Sequence, residues 1–323
     1  MNAAHPHAVV LVCNEGFLTP ALFVAQQLLA GLARRFDVVI VSGEDLSALV
    51  PEGIRFVQVD MEAFTNALPE APRLKKYTYW RIPAIERLSL EYQRVLYLDA
   101  DVFINDPNQI VELLNIPMGD CAMAAVRDVH QLTRPQRIAQ EHRALGLPTT
   151  PYFNAGLLLV QSSRWQALRC FENIRRLTQS HKHLLYCHDQ SLLNLVSEGR
   201  WLELSPVWNW QYSRKNCLLT EMVSPQIIHF AGAVKLWHAP NGDTPQRYWQ
   251  AYQTYLQAQG LHSTQTYPAS DERWFKVWGM NLIKNLWYFK RYQRYLQRFE
   301  TSFSTVSHHK HFDLVEFFNE FSA

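Results

Sequence analysis

The chain has 323 residues, enough for one large α/β domain with an appendage or about two domains at roughly 150 residues each. Hydrophobic residues make up 48% and charged residues 19%, so the chain can bury a sizeable core and lacks the composition of a disordered polymer. A net charge of +2 argues against a protein that coats a polyanion, and no nucleic-acid partner is expected.

The five cysteines (Cys13, Cys121, Cys170, Cys187, Cys217) form no CxxC pair and resemble neither a disulfide framework nor a zinc cluster. A reducing compartment is the simpler reading. The apolar run Ala8 to Cys13 follows no basic segment and is far shorter than the ~20 residues that cross a bilayer. It belongs to the fold, and the expected location is cytoplasmic.

In chain order, Val9–Val12 reads as a strand ending in a loop at Asn14-Glu15-Gly16. Apolar residues at helical spacing follow over Leu22–Leu32. Val38–Val41, Ile54–Val59 and Val95–Leu98 read as further strands, and Ala155–Val160 and Ile227-Ile228 as strands downstream. Such alternation predicts a mostly parallel sheet covered on both faces, with ligands at the carboxyl ends of its strands. That rule marks the loops Asn14–Phe17 and the one after Leu98. The turn-rich stretch His238–Pro245 marks a boundary, giving a domain over 1–240 and a C-terminal region over 241–323.

Asp99-Ala100-Asp101 directly follows the strand Val95–Leu98. Two carboxylates one residue apart at a strand end can grip a divalent cation, which could neutralise a leaving diphosphate. Alone, the same pattern is an ordinary Asp-rich turn. Its context is Pro151-Tyr152-Phe153-Asn154-Ala155-Gly156, then His188-Asp189-Gln190, then His229-Phe230-Ala231-Gly232 with Lys235 and Trp237.

In this order the motifs resemble the retaining nucleotide-sugar glycosyltransferases of family 8, which include bacterial lipopolysaccharide galactosyl- and glucosyltransferases and the glycogenins. The resemblance covers roughly residues 8–240. It implies a GT-A type α/β fold, a Rossmann-like, mostly parallel sheet with helices on both faces and a C-terminal helical region. It also implies Mn2+, or Mg2+, bound by Asp99, Asp101 and His229, with a UDP-sugar as donor. Lys235 would hold the diphosphate, Gly232 would admit backbone amides to it, and Ala100 would lie in the donor-binding loop. Arg81 matches a donor-binding arginine. Asn154, Asp189 and Gln190 would surround the transferred sugar, Gln190 below its anomeric carbon. An amide is a poor nucleophile, so the resemblance implies same-face attack by the acceptor with the diphosphate helping to remove its proton.

The first loop departs from the family pattern. Asn14 stands where an aspartate contacts uracil, and Phe17 where a tyrosine stacks on it; Leu236 replaces a frequent proline. Asp128–Pro148 falls where the acceptor side varies. Leu96–Val102 also has the shape of the nucleophile motif of haloacid-dehalogenase-like phosphatases, and a non-catalytic glycan- or nucleotide-binding scaffold is a third reading.

From Asp271 onward, aromatic and aliphatic residues recur at three- and four-residue steps (Trp274, Trp278, Leu282, Leu286, Phe289, Tyr292) between lysines and arginines, with no acid over 273–299. A basic face opposite an aromatic one fits a helix on an anionic membrane surface through residues 271–299, beside a lipid-linked glycan acceptor. The same helix could instead pack its aromatic face on the protein. The expected placement is peripheral, at the inner face of the plasma membrane.

Overall fold

The computed structural model describes residues 3–32, 34–66, 68, 76–134, 136–146, 150–180, 185–213, 216–232, 235–238, 244–261, 282–289, 292–293 and 295–297. The chain divides into two compact units, residues 1–204 and 205–323.

The first unit is built on a seven-stranded sheet. Its strands are β1 (His7–Val12), β2 (Asp37–Ser42), β3 (Arg55–Gln58), β4 (Arg94–Leu98), β6 (Met123–Arg127), β7 (Phe153–Gln161) and β8 (Leu202–Leu204), with a short β5 (Val102–Ile104) outside it. The spatial order is β3-β2-β1-β4-β7-β6-β8. Parallel pairs join β1 to β2 and β4, β2 to β3, and β6 to β8, while β7 runs antiparallel to both its neighbours. The sheet is therefore mostly parallel, as the alternation predicts.

Strands β1, β2 and β4 are continuous aliphatic runs because both faces of the sheet are covered. Val10, Val39, Val41, Val95 and Tyr97 point into one core with Ile82, Ile85 and Leu88 of the helix Arg81–Ser89. Ile174 of the helix Cys170–Ser180 and Leu192 and Leu193 of the helix His188–Ser197 complete it. Side chains alternate along a strand, so Val9, Leu11, Ile40 and Leu96 face the other way. The helix Glu15–Leu29 packs beside β1 and β2 with none of its side chains in that cluster.

This helix begins at Glu15, seven residues before the helical spacing starts in the sequence. Gly16 and Pro20 disguise it. Burial of Leu18, Ala21, Phe23, Val24, Ala25 and Leu28 outweighs their poor propensity.

From β1 the chain fills the sheet toward β3 and only later places β4 on the other side, so a topological switch lies between β1 and β4. The strand directions put the ends of β1, β4 and β6 and the start of β7 at one edge. Along β7 the pairing with β6 jumps from Ala125↔Leu158 to Val126↔Asn154, passing over Ala155, Gly156 and Leu157. This bulge re-aims the start of β7 at that edge.

The second unit contains a parallel pair, β9 (Trp210–Gln211) and β10 (Ile227–His229). Helices Cys217–Val223 and Gln246–Ala258 follow β9 and β10 respectively. Its helical segment over 282–289 and 292–293 turns Phe289 and Tyr292 inward, the latter 5.1 Å from the Trp210 ring. Asn216 Nδ2 donates to the Tyr292 hydroxyl at 3.3 Å. Ile283, Leu286 and Trp287 stay exposed. The aromatic periodicity of the tail thus serves two faces, one packed on its own unit and one outside. Residues 271–281, 290–291, 294 and 298–323 lie outside the described residues. Among the described residues, no helix is long and apolar enough to cross a membrane.

Candidate active site

The sheet edge of the first unit gathers most of the residues singled out in the sequence. Arg81 opens the helix Arg81–Ser89 and is buried, an unusual setting for a guanidinium without partners. Its Nη2 lies 3.1 Å from Asp99 Oδ1 and its Nε 2.9 Å from Asp189 Oδ2. Nη1 donates to the Ala155 carbonyl at 2.6 Å, Nε also to the Thr78 carbonyl at 3.2 Å, and the guanidinium lies 4.7 Å from the centre of the Tyr97 ring. Burial works against the Arg81 charge, but Asp189 and Asp99 outweigh it and hold the group firmly ionised. Arg81, expected to touch the donor, also has a task within the protein: one side chain ties together the loop after β4, the start of β7 and the helix His188–Ser197.

Asp99 is fixed further by its backbone N–H, which donates to the Gly156 carbonyl at 2.9 Å, and by the Tyr97 hydroxyl, which donates to Oδ1. Burial pushes the Tyr97 phenol far up, so it keeps its proton as a donor. Asp99 and Asp101 are half-buried, with Ala100 between them in the turn.

Asp189 sits in the first turn of the helix His188–Ser197, where a carboxylate suits the helix dipole. Burial pushes its carboxyl up to about 6, against the pull of Arg81 and with a further push from Asp99. Gln190 lies beside it, half-buried. Its Oε1 accepts from Asn154 Nδ2 at 3.3 Å and from the Ala155 backbone N–H at 3.0 Å, and its Nε2 faces Asp128 Oδ2 at 3.5 Å. Asn154 in turn accepts the Gly156 N–H at 3.0 Å. The β7 bulge and these amide contacts therefore bring Asn154 and Gln190 together.

At the end of β1, Asn14 occupies the N-cap position of the first helix without capping it. Its buried Oδ1 has no hydrogen-bond partner among the described residues. Phe17, one turn on, is 49% exposed.

The second unit carries the other expected residues. His229 ends β10, buried, and its Nδ1 lies 2.9 Å from Asn209 Oδ1. With an amide oxygen as partner, Nδ1 carries the proton and Nε2 the lone pair, the arrangement a metal-binding imidazole needs. Gly232 is exposed, with nothing within 4 Å of where a Cβ would stand. The Lys235 ammonium donates to the Phe230 carbonyl at 2.7 Å.

Sequence reading misses Tyr97, Asp128, Tyr79, His188 and Asn209 as parts of the site. Asp128 follows β6 as Asp99 follows β4, so the strand-end rule would have marked it had Met123–Arg127 been read as a strand. Tyr79 and His188 form a pair: the Tyr79 hydroxyl is 3.1 Å from His188 Nδ1 and their rings meet edge-on at 5.9 Å. His188 has φ 53°, left-handed for a residue with a side chain, immediately before Asp189 and Gln190.

A family model for glycosyl transferase family 8 matches residues 8–240. The chain belongs to that family. It is 27% identical over 210 residues to glycosyltransferase GlyF of Streptococcus pneumoniae, covering 63% of this chain and 48% of that one. It is 28% identical over 192 residues to the lipopolysaccharide 1,2-glucosyltransferase of Escherichia coli K12, covering 54% and 52%. To the lipopolysaccharide 1,3-galactosyltransferase of Salmonella typhimurium it is 29% identical over 213 residues, covering 60% and 57%. The matches span about half the length of these curated relatives. The crystal structure of galactosyltransferase LgtC with donor and acceptor sugar analogues superposes with a TM-score of 0.60 at 20% identity, over 84% of this chain and 99% of that one. The fold is accordingly of the GT-A type. The phosphatase reading of Asp99 and Asp101 falls away, because the family match begins at β1 and embraces every motif quoted above.

Two consequences can be measured. The folded Asp189 carboxyl holds its proton more tightly than the unfolded one, so ionising it costs stability as pH rises from about 4 to about 6. Asp189→Asn removes that titration: in urea denaturation of metal-free protein, its stability relative to wild type should rise across this window and level off above it. A difference that stays flat contradicts the assignment. At position 188, glycine relieves the left-handed backbone, so His188→Gly should be more stable than His188→Ala by about 1 kcal/mol; equal stabilities would show no strain there.

Proposed function

We propose that the protein is a retaining glycosyltransferase that moves a hexose, galactose or glucose, from a UDP-sugar to a glycan acceptor, with lipopolysaccharide or lipooligosaccharide the favoured class. The observation that carries this reading is the sheet-edge constellation of Asp99, Asp189 and Gln190, held by Arg81 and Asn154 at the switch between β1 and β4. Residues 1–240 form the catalytic part and 241–323 the C-terminal helical region.

Each residue then has a task. Asn14 offers its unsatisfied Oδ1 to an N–H on the edge of the base, and exposed Phe17 offers a ring face. Asp99, Asp101 and His229 would hold the divalent cation; two carboxylates and an imidazole with a fixed Nδ1 proton suit Mn2+ or Mg2+. When bound, the cation supplies positive charge for the departing diphosphate. Lys235 leaves the Phe230 carbonyl for the same phosphates, and Gly232 leaves them room. Asp189 accepts from hydroxyls of the sugar, which Asn154 helps to orient. Gln190, an amide fixed by three neighbours, keeps the face below the anomeric carbon polar without attacking it. The acceptor oxygen attacks from the leaving-group side and passes its proton to the diphosphate.

UDP release from a panel of UDP-hexoses, with Mn2+ and with EDTA, tests the class before an acceptor is in hand. One UDP-hexose should release UDP in a metal-dependent way, and Asp101→Ala should abolish that release at any practical Mn2+ concentration. Undiminished release from the variant removes Asp101 from the metal site, and silence across the panel together with unimpaired UDP binding favours the binding scaffold.

The tail is proposed to contact an anionic membrane surface through residues 271–299. The exposed side chains Ile283 and Trp287, one turn apart beside Lys284, support this. Because Phe289 and Tyr292 are buried in the second unit, point changes test it better than truncation. Ile283→Ser with Trp287→Ser should lower binding to phosphatidylglycerol-containing vesicles several-fold while the thermal melting temperature holds; unchanged sedimentation with vesicles sinks the membrane role.

A further inference from the structure

We propose that the acceptor carries a negative group, a phosphate or carboxylate on its sugar, and that Arg137 and Arg143 bind it. This rests on the reading of Gln190 and Asn154 as the face where transfer occurs, and it names the chemistry of the molecule arriving there.

A pocket of about 340 Å³ opens beside Gln190 within the first unit, walled in part by Asp128, Glu141, Tyr152, Arg137 and Arg143. Small-ligand clefts run from roughly 300 to 1,000 Å³, so this one suits something near the size of a single sugar residue. Its acids are turned inward. Asp128 Oδ1 accepts the His130 backbone N–H at 2.8 Å and Oδ2 faces the Gln190 amide. Glu141 is 1% exposed and accepts the Tyr152 hydroxyl at 2.6 Å. The arginines are the reverse: both side chains are exposed, and neither guanidinium has a carboxylate or hydrogen-bond partner among the described residues. Each brings five N–H donors in a fork that fits phosphate and carboxylate oxygens.

Arginines on a loose surface loop would mean little. These stand on backbone that buried polar groups hold in place. Gln131, buried in the short helix Val129–Thr133 that follows β6, donates through Nε2 to the Arg137 carbonyl at 3.1 Å and the Thr150 carbonyl at 2.7 Å. Its Oε1 accepts the Tyr152 N–H at 2.6 Å. The five-residue helix Gln140–Ala144 is too short to persist alone. It is anchored by Glu141 on Tyr152 and by His142, buried, whose Nδ1 lies 3.1 Å from Thr150 Oγ1. Three buried polar side chains thus spend their hydrogen bonds on fixing the wall that presents two guanidiniums with no partner among the described residues. A neutral sugar would leave both with nothing to bind but water; an anion on the sugar gives charge-assisted, bidentate contacts.

The test is calorimetric titration of the full chain, in EDTA and without donor, with glucose, glucose 6-phosphate and glucuronic acid. At least one anionic sugar should bind tenfold or more tightly than glucose, and the stronger of the two names the anion. Arg137→Ala with Arg143→Ala, both exposed positions, should erase the preference while melting at the wild-type temperature. Equal binding of neutral and anionic sugars, or a preference that survives in the double variant, overturns the proposal. UDP titrated into the same variant with Mn2+ separates donor from acceptor: a fall in UDP affinity as large as that for the anionic sugar places the arginines on the donor and also overturns it. The sugar titrations need no turnover, so their outcome is independent of the UDP-release experiment.

Discussion

The ion cluster centred on Arg81 is the constraint on which the site in the first unit depends. A buried guanidinium is tolerable only because two carboxylates and two backbone carbonyls surround it. The same contacts fix Asp99 after β4, Ala155 in the β7 bulge and Asp189 at the start of a helix, three segments far apart in the chain. Asp99 opens a turn, Ala155 lies in a strand where its pairing with β6 is broken, and Asp189 lies in the first turn of its helix, so the shared contacts with Arg81 hold them to one another. Removing one partner of such a buried pair costs about 3–5 kcal/mol because the other charge is stranded. A lysine could not replace Arg81, since a single ammonium cannot reach both carboxylates and a carbonyl along separate N–H directions.

Around that cluster, polar groups are arranged in order of their exposure to an incoming ligand. Arg81 and Asp189 are buried, Asp99, Asn154 and Gln190 are half-buried, and Phe17 is open. The inner groups satisfy one another, which keeps them still; the outer ones retain capacity for a substrate. In the second unit the same logic appears in miniature. Asn209 holds the His229 ring from behind, and the Phe230 carbonyl accepts from the Lys235 ammonium.

Much of this was legible in the residues. The strands β1, β2 and β4 show as uninterrupted aliphatic runs because a doubly covered sheet leaves no polar face, and Asp99 stands out because it terminates one of them. β6 is harder to see: Met-Ala-Ala-Val-Arg is short and alanine-rich, and with the strand goes Asp128 at its end. The helix after β1 hides behind Gly16 and Pro20, whose local preferences tertiary burial overrides. Arg81 is visible as a candidate, but not that its donors turn toward the protein, since that depends on the bulge in β7 bringing the Ala155 carbonyl to it. Periodicity in the tail reveals a helix with aromatic residues yet cannot separate Phe289 and Tyr292, which are buried in the second unit, from Trp287, which is not.

The bulge in β7 has an effect beyond aiming side chains. From Leu158 to Val160 the strand is locked in register on both sides, to β4 and to β6. Between Ala155 and Leu157 it is released from β6 while still paired to β4 through Leu98↔Leu157 and the Asp99–Gly156 bond. On the β6 side the ladder that stabilises the core is therefore interrupted over Ala155–Leu157 and resumes at Asn154↔Val126 and Phe153↔Arg127. Substitution of half-buried Asn154 can alter what the edge presents without sliding the strand and turning its buried side chains outward. Such mechanical separation lets the rim vary in sequence while the hydrophobic interior stays the same.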